Sequence, residues 1–246
     1  RPAFLVVFAI DAVSFLLSAL ALLRLPSVAA TPRGPAGEPV FAVLRDKPYA
    51  LVTFLNTIML FYMPLLSLVI PLWLVERTAA PPWLVSALLV LNTVSVVLFQ
   101  VRVASRVTGL ASAARYVRYA GIAMLAACAV FAFSSVGSSA WLAGFVLLAG
   151  AVLQVIGEMM LGAGSWEIGF DLAPAGKQGQ YQGFFGTGTA VARMAGPLAL
   201  TALIISWGTP GWFVLGALFL GAGIAMGPAV RWAERTRTQP VDAVVA

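Results

Sequence analysis

The chain has 246 residues, of which 61% are hydrophobic and only 10% charged, with a formal net charge of +6. Ordinary globular domains carry about 45–50% apolar and about 25% charged residues, so a soluble domain is excluded and the class is a polytopic membrane protein. There is no histidine and one cysteine, Cys128, which removes the commonest metal ligand and general base and rules out a cysteine-ligated cluster.

A helix that crosses the hydrocarbon needs about 20 largely apolar residues, and by that test seven runs qualify. The first covers about 3–23 and holds Asp11. Residues 24–48 form a polar link with Pro26, Pro32, Pro35 and Pro39, a loop by composition. The second run, about 49–75, contains Asn56, Pro64 and Pro71 and is expected to kink. The third, about 83–101, holds Asn92 and ends near Gln100. A stretch with four arginines and no acid, 102–118, precedes the fourth run at about 119–136. The fifth, about 141–164, carries Gln154 and Glu158. A loop at 165–180 leads to the sixth, about 181–206, and the turn WGTPG to the seventh, about 212–230. The tail 231–246 is polar. None of the runs alternates with period two, so a β-barrel is not expected. The sequence opens on Arg1-Pro2 without a methionine, and its start is expected to have been lost or cut away.

Lys and Arg divide unevenly between alternate loops. The set 24–48, 102–118, 165–180 and 231–246 holds twelve, and the set 1–2, 76–82, 137–140 and 207–211 holds two. By the positive-inside rule the first set, including the link 24–48 and the tail 231–246, is cytoplasmic. The positive charge is read as this bias rather than as a nucleic-acid surface. Trp83, Trp141, Trp207 and Trp212 all fall at the opposite ends, where an interfacial aromatic belt would put them.

Three ionisable residues lie inside apolar runs: Asp11, Glu158 and Arg193. Each costs about 2.5–3.5 kcal/mol at a helix centre, so each needs a partner, a wet cavity or neutralisation. The readings are a proton or substrate site, a structural ion pair, with Glu158–Arg193 as one such pair, or, for Asp11, a place near the outer surface. Asn56, Asn92 and Gln154 either line a path or bond between helices. Phe61, Tyr62 and Trp73 can stack on an apolar substrate or simply pack. Gly188, Ala192 and Gly196 recur every fourth residue on one face of the sixth helix, as a close-packing seam would require, and Pro197 makes that helix a candidate for bending. There is no phosphate-cradling glycine loop. The only lysines, Lys47 and Lys177, sit in loops, so no helix can form a retinal Schiff base. Without histidine there is no Ser/His or Cys/His pair, and no enzyme, metal or cofactor is expected.

Several stretches resemble a known family. FAIDAVSFLLSALALLRLP resembles the sixth helix of bacterial major facilitator superfamily transporters of the drug-efflux type. PPWLVSALLVLNTVSVVLFQVRVASR is similar to their eighth helix, and VLQVIGEMMLGAG with DLAPAGKQGQYQGFFGTGTAVARMAGPLA to their tenth and eleventh. Arg106 and Gly109 match the superfamily's loop motif, but Ser105 stands where an Asp belongs and Ala111-Ser112 where basic residues belong. Gly196-Pro197 is similar to the Gly-Pro helix motif of drug–proton antiporters. The resemblance implies helices six to twelve of a twelve-helix fold in the bacterial cell membrane. It implies proton-coupled efflux of a small amphipathic or hydrophobic compound by alternating access, with Glu158 and Asp11 binding protons, Arg193 holding a carboxylate, and Asn56 and Asn92 facing the cavity. The partners it implies are the lipid bilayer, a small-molecule substrate and the missing N-terminal half. The rival expectation is a truncated half that does not transport alone or that needs a separately made N-terminal half.

Overall fold

The computed structural model describes residues 2–25, 42–137 and 139–237. The described residues are all-α, without a strand: α1 Pro2–Leu22, α2 Lys47–Leu60, α3 Ile70–Arg77, α4 Leu84–Ala104, α5 Leu110–Phe133, α6 Ala140–Asp171, α7 Gln178–Leu200 and α8 Thr209–Arg237. Taking α2 with α3 and α7 with the turn that follows it, seven helices are long and apolar enough to cross a membrane. This is a multi-pass membrane protein.

The chain divides into two units, Arg1–Ala36 and Gly37–Ala246. The first is α1, apolar on all sides apart from Asp11 and a short serine ladder in which Ser18 Oγ donates to the Ser14 carbonyl at 2.9 Å. The link 24–48 falls largely outside the described residues, and so does the tail beyond Arg237.

In the second unit, α2 starts where Asp46 caps it: the carboxylate accepts from the Tyr49 N–H at 3.1 Å, and Pro48 occupies the first turn, where its missing N–H costs nothing. Pro64 then interrupts the helix. It lacks the donor for the residue four back, and the chain passes through a π-helical turn, Leu65–Val69, before resuming as α3. The same event recurs in α7, where Pro197 is followed by a π-helical turn at Thr201–Ser206. The two irregular turns touch.

The core is built on α5, α6 and α8. A Cβ added at Gly121 of α5 would lie 2.7 Å from the Phe219 carbonyl oxygen of α8, and one at Gly164 of α6 would lie 2.7 Å from the Ala113 carbonyl oxygen of α5. Backbones meet there directly, as small residues permit in helices that pack inside lipid. An aromatic cluster closes one end: the Trp212 ring is 5.6 Å from Trp73 and 5.2 Å from Phe131, and Trp73 Nε1–H donates to Ser134 Oγ at 2.9 Å. Trp212 is therefore a core residue and not part of an interfacial belt, whereas Trp83, Trp141 and Trp207 are exposed. Trp73 packs as well.

Three helices outrun their apolar segments. α5 begins at Leu110 rather than near 119, α6 continues to Asp171 instead of stopping near 164, and α8 reaches Arg237 rather than 230. Hydropathy marks where a helix leaves the hydrocarbon. Backbone hydrogen bonding carries on into the headgroup layer, and it stops at chain signals such as Gly109, whose φ of 91° starts α5.

Candidate functional site

The helices divide by face. α5 and α8 pack against each other, while α2, α4, α6 and α7 share the contacts around the other side of α6 and α2. Gln154 and Glu158 are four residues apart on α6 and so share a face. Asn92 of α4 meets them there: its Nδ2 donates to Glu158 Oε2 at 2.8 Å. Around this pair is a cleft of about 180 Å³, closed by Tyr62, Met63, Leu66 and Ser67 from the broken part of the α2–α3 span and by Leu89 of α4. The proline break is what lets α2–α3 present these side chains beside Glu158.

Gln154 gives the cleft its chemical character. It is 1% exposed, and neither its amide oxygen nor its amide nitrogen has a partner among the described residues. A buried polar group left unpaired costs about 1–3 kcal/mol. One face therefore presents a carboxylate already holding a donor, together with an unused donor and an unused acceptor. It suits a small molecule with both apolar and hydrogen-bonding parts.

A second cleft of about 220 Å³ lies farther along α6, between α2 and α7. Ser165 Oγ donates to Asn56 Oδ1 at 2.7 Å on its wall, and Gln182 Nε2 is buried there without a partner. Glu158 and Ser165 are seven residues apart, about 10 Å along one helix face. Gln100 lies beside this same stretch of α6, its Nε2 donating to the Met159 carbonyl at 3.5 Å.

The structure thus brings Glu158 and Asn92 together and gives Asn56 a place in the neighbouring cleft. Arg193 is not paired with Glu158. It is exposed on α7, one turn beyond Thr189 of the second cleft, with no hydrogen bond or ion pair to another described residue. Asp11 is an exposed residue of the first unit. The α7 stripe packs against α2: Ala192 is fully buried, and a Cβ added at Gly196 would lie 2.7 Å from Pro64 Cγ. Gly188 faces Thr57 of α2 in the same seam. Pro197 follows directly and precedes the π-helical turn. Of the loop motif, Gly109 donates its N–H to Glu167 Oε1 at 2.9 Å, which ties the α4–α5 turn to α6, while Arg106 is exposed.

One cluster escaped the sequence reading. At the end where α2 and α7 begin, Asp46 Oδ2 accepts from the Tyr181 hydroxyl at 3.0 Å and pairs with Arg237 Nη2 at 2.9 Å. The Tyr49 hydroxyl donates toward the carbonyls of Gly169 at 3.3 Å and Tyr181 at 3.2 Å. The Arg237 guanidinium sits 5.6 and 5.5 Å from the Tyr49 and Tyr181 rings. Four helices are tied together here. The Asp-Lys-Pro at 46–48 is a helix-start signature that could have drawn attention to Asp46; nothing local in sequence pairs it with a residue 191 positions away.

Among the described residues no three His, Cys, Asp or Glu side chains come together as a metal ion would require. Compared with models of known protein families, with curated proteins and with solved structures, the chain matches none.

Proposed function

We propose that this chain is the C-terminal bundle, plus one helix, of a secondary active transporter of the major facilitator type. It exports a small amphipathic or hydrophobic compound against proton entry across a bacterial cell membrane, with its C-terminus in the cytoplasm. The observation that carries the reading is the cleft in which Glu158 holds Asn92 beside the buried, unpartnered Gln154. A carboxylate in a cleft within a membrane-spanning helix, lined by a broken helix, is the kind of group that exchanges a proton for a ligand in a transporter. In this reading Glu158 carries the proton, and Gln154 and Asn92 bind polar atoms of the ligand. Tyr62, Leu66 and Leu89 take its apolar part. Arg193 and the Asn56 cleft face a second bundle, against which this one rocks. Asp11 stays in the reading as a lesser proton carrier on α1.

The test is proton flux in everted membrane vesicles from cells making the chain joined to the second bundle in one polypeptide. A preformed pH gradient is expected to fall when a lipophilic organic cation is added, and Glu158→Gln is expected to abolish that fall. An unchanged response in Glu158→Gln removes the assignment. A second reading is favoured by Arg193, exposed on a membrane-spanning helix and without a partner among the described residues: the chain is a half that does not transport until a separate N-terminal half covers this face. No flux from the chain made alone, with flux restored by a separately made N-terminal half and no covalent link, selects that reading.

A further inference from the structure

Away from both clefts, one groove combines charge with apolar walls. It encloses about 590 Å³ between α5 and α8. At one end the two backbones nearly touch, since a Cβ added at Gly223 would lie 3.0 Å from the Val117 carbonyl oxygen. From there the floor runs over Ala114, Gly227 and Pro228. A Cβ added at Gly227 would meet only one atom within 4 Å, Nη1 of Arg231 at 3.5 Å. The groove is thus open above that glycine, and an arginine head bounds it.

Three arginines line it and all are exposed: Arg115 and Arg118 on one face of α5, and Arg231 on α8. Arg118 also stands 5.6 Å from the Tyr119 ring. One carboxylate, Glu234, is also in the lining and is engaged within the protein. The balance is two positive charges. α8 has 29 residues; such a helix is about 43 Å long, against about 30 Å of hydrocarbon, so its last turns rise to the headgroup layer.

Arginine forks match the oxygens of a phosphate, and a basic pocket between membrane helices at headgroup level suits an anionic lipid head. A free phosphate would use the arginines but leave the apolar floor bare. We propose that the α5–α8 groove binds an anionic phospholipid, its phosphate held by Arg115, Arg118 and Arg231 and an acyl chain lying over Ala114, Gly227 and Pro228. This site is separate from the Glu158 cleft, and its assignment does not depend on transport.

The experiment is native mass spectrometry of the 246-residue chain released from nanodiscs of equal phosphatidylglycerol and phosphatidylcholine. Two net charges at about 1 kcal/mol each correspond to roughly a thirtyfold preference, so the retained lipid is expected to be phosphatidylglycerol at tenfold excess or more. The combined Arg115→Gln, Arg118→Gln and Arg231→Gln variant is expected to fall to about twofold or less on the same charge argument. Gly227→Leu, which fills the groove and keeps every arginine, is expected to lose the lipid as well. Arg102→Gln, at the same end of α4, is expected to retain it. Excess inorganic phosphate is expected to leave the lipid in place. Equal retention of the two lipids by the wild-type chain overturns the proposal, and so does undiminished selectivity in Gly227→Leu or in the triple variant. Displacement of the lipid by inorganic phosphate also overturns it, since the site would then be for a free anion.

Discussion

The Gly121–Gly223 crossing of α5 and α8 and the cleft-bearing part of the α2–α4–α6–α7 face are made from the same apolar alphabet and pack differently. Along the seam, Gly121 and Gly223 bring backbone against backbone, and no room is left for a methyl group. On the other face, Gly183 and Gly186 of α7 have nothing within 4 Å of an added Cβ, two clefts stay open, and a buried glutamine amide has no partner among the described residues. Glycine in the seam is a packing residue. Gly183 and Gly186, unlike Gly188 and Gly196 of the α2–α7 contact, leave a surface for something else to occupy. Rigid packing on one side and unfilled polar capacity on the other is the division expected of a bundle that moves as a body around a ligand.

Substitutions that add volume or remove polarity separate the two regions. The largest effect is expected from Gly121→Val, which forces α5 and α8 apart: overpacking of this kind costs about 1–3 kcal/mol and more where backbone must shift. Its thermal midpoint in detergent, followed by circular dichroism, should drop by more than that of any other variant here; an unchanged midpoint would mean the seam is looser than described. Next comes Asp46→Ala, which removes a helix cap, an ion pair and a tyrosine partner at once. A cap alone is worth about 1 kcal/mol and a largely buried pair with its tyrosine hydrogen bond adds about as much, so a loss of about 2 kcal/mol is expected in the same assay, and a neutral result would remove the four-helix tie. Gln154→Leu should act with the opposite sign. Replacing an unpaired buried amide by an apolar group of similar size should stabilise the free protein by about 1–2 kcal/mol, and it should weaken binding of an amphipathic ligand measured by calorimetry. Loss of stability would show that Gln154 is satisfied in the native state. The smallest effect is expected at Gly186→Ala, where helix propensity alone adds about 1 kcal/mol and no neighbour objects; a fall in midpoint there would mean the open face is covered.

The sequence made the seven spans legible because length and apolarity are local properties, and Asn92, Glu158 and Asn56 stood out because polar atoms in such runs need a reason. Their partners were not legible. Asn92 and Glu158 are 66 residues apart, and Ser165 reaches Asn56 across 109; helix rotation, which decides such meetings, depends on packing rather than on composition. The same limit misplaced Trp212. Its position at the start of a span fits an interfacial belt, but rotation turns it toward Trp73 and Phe131. The start of α5 and the ends of α6 and α8 were missed because arginines, glutamate and serine continue a helix in water as readily as leucine does in lipid. The Asp46–Arg237 tie joins two segments outside the apolar runs, where a charged residue is no sign of burial.

The central claim is that Glu158 exchanges a proton for a ligand in the cleft it shares with Asn92 and Gln154. It is tested most directly by adding a lipophilic organic cation to the purified chain in weakly buffered detergent, with a pH indicator counting protons released per cation bound. The account predicts close to one proton per bound cation for the wild-type chain and none for Glu158→Gln. Equal release from the two proteins, or binding to the wild-type chain with no release, would contradict it.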